Sequence, residues 1–229
     1  MTLSVIMPAY RAEKYIGKAI SSIQEQKGFQ ESESEFIVVD DGSDDSTVEK
    51  ALGKGARVIR QEHKGAAAAR NRGLKEAKGD FILLLDADDM LAPDSLSNFM
   101  EQFEKNPELD ACFALSQEFF SEDLEENQKQ GLKLKSEPYG GTLPGCSLIR
   151  HSVFDRIGLF DETLRGGETV DWMVRFRSAG FNTIEIPVVT LQRRIHASNT
   201  GRLYRQNEMA NYAKILRAKM RRGKNVQDQ

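Results

Sequence analysis

Cysteine is scarce in this chain, as are histidine and tryptophan, and no long apolar run occurs. The two cysteines among 229 residues, Cys112 and Cys146, sit in apolar or Gly/Pro contexts without metal-ligand spacing. That excludes a disulfide framework or a structural zinc module and leaves reduced packing residues. No stretch of about 18 apolar residues appears, so a spanning helix is not expected. Met1-Thr2-Leu3-Ser4 leads straight into a strand with neither a basic segment nor a cleavage site, so the expected location is the cytoplasm, including the inner face of a membrane. Internal repeats and a long linker are also missing. A chain 39% hydrophobic and 29% charged has ordinary globular composition, suited to one substantial core with an appendage. A basic excess is lacking too: net charge is −3, the body is acidic and no nucleic-acid module is present, so nucleic acid is not an expected partner.

What the chain does have is apolar strands that end in acid. Phe81-Ile82-Leu83-Leu84-Leu85 stops abruptly at Asp86-Ala87-Asp88-Asp89. Carboxylates this crowded repel one another unless a hard divalent ion or a set of donors neutralises them, and Mg²⁺ typically takes one or two carboxylates together with substrate phosphates. An Asp-rich turn is the simpler account, with Asp88 or Asp89 capping the helix expected over Pro93 to Phe103. A second acidic tip favours the ligand site. Phe36-Ile37-Val38-Val39 runs into Asp40-Asp41-Gly42-Ser43, and in an open parallel sheet the strand C-termini share one edge, outside which ligands bind. Both tips are then expected to face one ligand.

Along the chain, Leu3 to Met7 reads as a strand, and Tyr15, Ile16, Ala19, Ile20 and Ile23 pattern a helix behind it. Ser46-Thr47-Val48-Glu49 matches a capping box, which starts a helix over Thr47 to Leu52. Arg57 to Arg60 is a short strand, Gly65 to Ala77 a helix carrying Arg70, Asn71 and Arg72, and Asp80 to Leu85 the acid-ended strand. This alternation predicts an α/β fold: a Rossmann-like, mixed but mostly parallel sheet flanked by helices. Beyond it, Ala111 to Phe120 is a strand, Ser121 to Glu137 a polar stretch read as a mobile loop, and Tyr139 to Gly145 a tight bend without phosphate-loop spacing. Ser152 to Ile157 and Thr169 to Ala179 read as helices, the second closed by Gly180 at C′, and Thr183 to Leu191 as extended.

From Arg193 onward the charge turns basic. Met209, Tyr212, Ala213, Leu216 and Met220 recur at helical spacing among Arg217, Lys219, Arg221, Arg222 and Lys224, which predicts a basic amphipathic C-terminal helix. Such a stripe docks on the protein's own core or, with its cations on anionic lipid, makes a peripheral membrane contact.

Ser4-Val5-Ile6-Met7-Pro8-Ala9-Tyr10, Asp40-Asp41-Gly42-Ser43, Gly65 to Gly73 with Ala69-Arg70-Asn71, Asp86-Ala87-Asp88-Asp89, Gly158-Leu159-Phe160-Asp161-Glu162, Gly167 to Arg175 and Arg194-Ile195-His196 occur in this order. Their order and spacing over about residues 2 to 200 resemble the family-2 glycosyltransferases of the A-type nucleotide-sugar fold. The resemblance implies a catalytic domain over 1–200, with a nucleotide-sugar half over about 1–105 and an acceptor half over about 106–200, and a basic helical extension over 201–229. It implies that Pro8, Tyr10, Asp40 and Asp41 hold the nucleoside, and that Asp86, Asp88 and Asp89 hold ribose and a Mg²⁺ or Mn²⁺ ion bridging the diphosphate. Arg70 joins the donor-binding set, and His196 completes the metal or phosphate site. An imide donor needing an acceptor, a ring stacking on Tyr10 and an imidazole near a diphosphate all suit this chemistry.

The implied reaction is inverting transfer of a sugar from a nucleotide-sugar, by default a UDP-sugar, to a hydroxyl of a carbohydrate or lipid-linked acceptor, as in polysaccharide or glycan assembly. A general base must take the hydroxyl proton. The family's base Asp is expected, counting back from Arg175, at Thr169, which cannot serve. Three options remain: Glu168, the one favoured here, is the base, Asp171 reaches in from the next turn, or the chain is a nucleotide-sugar-binding subunit with impaired catalysis. Either acid is also suited to capping the helix or pairing with Arg175. The strand ending at Asp86 further resembles an aspartyl phosphotransferase opening, but that motif starts its domain, whereas here β/α units precede it.

Overall fold

The computed structural model describes residues 1–27, 29, 34–130, 132–140, 144–164, 166–197 and 199. The predicted C-terminal helix, with Met209 to Met220, lies outside the described residues. Within them the chain runs β1 (Leu3–Ala9), α1 (Ile16–Gln24), β2 (Ser34–Asp40), α2 (Thr47–Gly53), β3 (Arg57–Arg60), α3 (Ala66–Glu76), β4 (Phe81–Leu84), β5 (Met90–Leu91) and α4 (Ser95–Lys105). It continues through β6 (Ala111–Phe120), α5 (Glu126–Lys129), β7 (Tyr139–Gly140), β8 (Ser147–Arg150), α6 (His151–Ile157), α7 (Glu168–Ser178) and β9 (Thr183–Ile195).

One sheet takes in every described strand, in the order β3-β2-β1-β4-β8-β6-β9-β5, with β7 on β6. Strands β1 to β4 are mutually parallel, and β6 pairs parallel with β9. The short strands β5, β7 and β8 pair antiparallel with their neighbours. Because β8 separates β4 from β6 and pairs antiparallel with both, β1, β2, β3, β4, β6 and β9 all point one way. The fold class expected from the alternation, mixed and mostly parallel with flanking helices, is therefore the fold observed.

Alternation along the central strands sorts the core onto two faces, as a period of two requires. Val5, Met7, Phe81 and Leu83 join Ile16, Ile20, Ile23, Phe99 and Phe103 on one face. Ile6, Ile82 and Leu84 join Leu74, Phe154, Phe160, Trp172 and Phe176 on the other. Each large side chain so buried contributes about 1.5–3 kcal/mol. Helix α3 lies close on β1 because of Gly73, where a Cβ would collide with Ile6.

Several expectations are corrected. The polar stretch Ser121 to Glu137 is not simply a loop: it holds α5, capped reciprocally by Glu125 and Gln128, and Lys135 donates its N–H to Glu118. The Tyr139 to Gly145 bend begins as strand β7, opposite Leu115 and Ser116. Ser46 stands at the N-cap of α2 without a side-chain bond. Asp45 does that work instead, accepting from the Thr47 N–H. Strand β9 runs on to Ile195, which brings Arg193 and Arg194 into the sheet.

Candidate functional site

The C-terminal ends of the parallel strands deliver the predicted residues to one edge. Pro8 is buried in β1, and pairing of β1 with β4 ends at Ile6 opposite Leu84. Pro8 thus lies beyond the last β4 partner of β1 but still opposite Val39 of β2. Tyr10 follows, 40% exposed, its ring centroid 4.1 Å from that of His63 at 31°.

The two carboxylates at the end of β2 are buried and already engaged. Asp40 accepts from the Ser43 N–H at 3.2 Å and from Arg60 Nε at 3.2 Å. Asp41 accepts from Gln61 Nε2 at 2.7 Å, from the Lys64 N–H at 2.9 Å and from the Gly65 N–H at 2.8 Å, with His63 Nδ1 2.9 Å away. Asp41 thus organises the loop at the N-terminus of α3, where the exposed N–H groups favour negative charge. Asp40 is screened from solvent by a guanidinium that is itself largely exposed.

Beyond β4, Arg70 of α3 reaches two acids at once. Its Nη2 lies 2.7 Å from Asp86 Oδ1 and its Nη1 2.8 Å from Glu168 Oε1, the first residue of α7. The guanidinium is buried, and its Nε has no partner among the described residues. Burial opposes its charge, but Asp86 and Glu168 outweigh that and raise its pKa above the usual arginine range. Asp88 meets His196 Nε2 at 2.9 Å. Asp89 is drawn into the protein and accepts the Arg194 N–H at 2.8 Å. Burial, then the charges of Asp88 and Asp86, push its carboxyl well above the ordinary range.

Asp88 and His196 are the pair that suits a divalent cation, since such an ion takes few protein ligands and completes its shell with phosphate and water. Among the described residues no group of three or more His, Cys, Asp or Glu stands together as a complete metal cage. Asp89, expected as a third ligand, is instead tied to β9. Asp171 is not brought to the acidic tip either. Its Oδ2 lies 2.9 Å from Arg175 Nε, and Arg175 donates onward to the carbonyls of Ile157 at 2.6 Å and Leu159 at 2.7 Å. Asp171 therefore anchors α7 to the preceding loop, while Glu168 faces the strand tips.

Three contributors escaped the sequence reading. Arg60 and His63 follow from applying the strand-end rule to β3, whose Arg60 is the register partner of Asp40. Asn71 brackets Phe160, accepting its N–H at 2.9 Å and donating to its carbonyl at 2.9 Å. That contact spans 89 residues, and no local pattern signals it.

Known proteins are similar to this chain in sequence and in fold. An uncharacterized glycosyltransferase of Haemophilus influenzae is 41% identical over 109 residues, 44% of this chain and 42% of that protein. One of Rickettsia prowazekii is 29% identical over 212 residues, 86% of this chain and 65% of that protein. The chain thus spans less than two thirds of the length of these relatives. Among solved structures, Staphylococcus aureus TarS 1–349 in complex with UDP-GlcNAc superposes with a TM-score of 0.68 at 24% identity, over 87% of this chain and 60% of that one. The mannosyltransferase PcManGT from Pyrobaculum calidifontis, in complex with GDP-Man and Mn²⁺, gives 0.71 at 18%, over 96% and 64%. At these identities the structural likeness is one of fold. Residues 4–158, well over half of the chain and including both acidic strand tips, match the profile of glycosyl transferase family 2, and the chain belongs to that family.

Proposed function

We propose that this chain catalyses inverting transfer of a sugar from a nucleotide-sugar, a UDP-sugar by default, to a hydroxyl of a carbohydrate or lipid-linked acceptor. The observation that carries this reading is the Arg70 bridge, which sets the strand-tip acid Asp86 and Glu168 on one guanidinium across 98 residues of sequence. Such an arrangement joins a donor-binding edge to a carboxylate suited to accept a proton.

In this reading Tyr10, with Pro8 and Asp40, receives the nucleobase, Asp41 keeps the loop before α3 in place, and Asp86 with Arg70 meets the ribose side of the donor. Asp88 and His196 would hold the Mg²⁺ or Mn²⁺ ion, which when bound offsets the charge of the departing diphosphate. Glu168 takes the acceptor proton as the hydroxyl oxygen attacks the anomeric carbon. Asp171 acts only through the placement of α7. The Mn²⁺ named with the mannosyltransferase and the UDP-GlcNAc named with TarS support a nucleotide-sugar and divalent-ion chemistry of this kind.

A calorimetric titration of the full chain with nucleoside diphosphates and their sugars, with Mg²⁺ or Mn²⁺ present, is expected to select one nucleotide and to lose its binding in Asp88→Ala. Binding of none of them overturns the donor-site reading. Glu168→Gln is expected to retain nucleotide affinity while lowering transfer by about 10²–10⁴, the range of a positioned general base; unchanged turnover eliminates Glu168. A second reading has its own support, because Thr169 occupies the position expected for the base and Glu168 is held by Arg70. In it the chain binds the donor without efficient transfer, and wild-type binding with neither transfer nor donor hydrolysis is its signature.

A further inference from the structure

Tyr15 immediately precedes α1 and occupies the N-cap position without a capping bond. Its side chain reaches away from the helix, to the donor edge. The ring centroid lies 4.6 Å from that of His196 at 40°, and the Arg194 guanidinium carbon lies 5.2 Å from it. The hydroxyl donates to Asp123 Oδ2 at 2.8 Å, and burial, followed by that bond, pushes the phenol up to about 12. The segment carrying Asp123 is held to α1 and its approach at two further points, Lys18 to Glu122 at 2.8 Å and Lys14 to Asp123 at 3.6 Å. One aromatic side chain therefore meets Arg194 of β9 and His196 just past it, and is fixed at its far end by the segment that follows β6.

The geometry points to Tyr15 as a positioning residue for His196: its ring sets the plane of the imidazole that meets Asp88 Oδ2 at 2.9 Å, and the Asp123 bond fixes the ring. Through this contact the polar segment after β6 bears on the diphosphate end of the donor site, whereas the Tyr10 end is untouched. The inference rests on the donor-site reading above. A purely packing role for Tyr15 would alter stability alone. A positioning role alters recognition of the diphosphate and spares recognition of the base.

The test compares Tyr15→Leu, Tyr15→Phe and Asp123→Asn in the full chain, with uridine and UDP as probes and folding confirmed by thermal melts. Tyr15→Leu is expected to weaken UDP by up to about tenfold, the scale of one lost aromatic contact, with uridine unchanged. Tyr15→Phe, which keeps the ring, is expected to recover most of the loss, with Asp123→Asn behaving like it. UDP affinity within twofold of wild type in folded Tyr15→Leu, or an equal loss for uridine, overturns the proposal. If the wild type binds neither probe, the donor-site reading fails and the Tyr15 contact is judged by NMR instead. A His196 ring signal that is ring-current shifted in wild type and in Tyr15→Phe, and displaced in Tyr15→Leu, supports it; an unmoved signal in Tyr15→Leu overturns it.

Discussion

Arg11 is one of two described non-glycine residues with positive φ, at 48°. It holds that conformation because its N–H donates to Ser43 Oγ at 2.9 Å, which ties the end of β1 to the turn after β2. The guanidinium forms a two-pronged pair with Asp44, yet both side chains are more than half exposed, and such pairs add little. Asparagine tolerates the left-handed region better than arginine, so Arg11→Asn is expected to leave the melting temperature unchanged or slightly higher. A clear fall would show that the Asp44 pair outweighs the backbone strain. At this scale the acids were legible in the sequence because each ends an apolar run, as at Asp40 and Asp86. Their partners were not: Arg60 and His63 stand 20 and 22 residues beyond Asp40 and Asp41 and need the strand-end rule carried on to β3, and Asn71 of the neighbouring helix finds its own partner only at Phe160, 89 residues on. The proposed base was legible in part: counting from Arg175 located Thr169 and left Glu168 favoured over Asp171, and in the folded helix Glu168 lies against Arg70 while Asp171 pairs with Arg175.

Helix α7 is placed by a network of its own rather than by amphipathicity alone. Trp172, Met173 and Phe176 bury one side, with the Trp172 ring stacked 4.8 Å from Phe154 and 5.4 Å from Phe176. On the adjacent side Asp171 accepts from Arg175, which donates to the Ile157 and Leu159 carbonyls. Asp171→Asn is expected to cost about 1.5–3 kcal/mol, as for a hydrogen bond to a charged group, measured by denaturant unfolding. Turnover per folded molecule should fall far less than in Glu168→Gln; an equal fall would return Asp171 to the reaction itself. Element by element, the long buried strands and α1, α3 and α4 were readable because several turns or pleats are enough to show a period. Two-residue strands such as β5 and β7 have no period to read, and α5 is a single turn whose side chains mostly face solvent. Strand β8 is visible only as the antiparallel partner of β4 and β6.

Across the whole molecule, Arg70 is the bond between α3, packed on the parallel strands, and α7, which arrives late in the sequence. Removing it would leave Asp86 and Glu168 facing each other without a cation, and breaking a buried ion pair on one side costs about 3–5 kcal/mol, toward the low end here because Asp86 is partly exposed. Arg70→Ala is thus expected to lower stability by about 3 kcal/mol in denaturant titration. Arg70→Lys should restore part of the loss but not all, since one ammonium cannot reproduce the two-pronged reach. Stability of Arg70→Ala equal to wild type would mean that the two acids do not depend on the guanidinium. Two long-range bonds of the site, Arg70 to Glu168 over 98 residues and Asp88 to His196 over 108, also give its assembly an order in time. On a ribosome adding about 5–20 residues per second, Arg70 can close on Asp86 within a few seconds of its own synthesis, whereas Glu168 emerges about 5–20 s after Arg70 at that rate. The growing chain can therefore form the Asp40 and Asp86 tips of its sheet before Glu168 exists, whereas the Asp88–His196 pair closes only after Glu168 has been made.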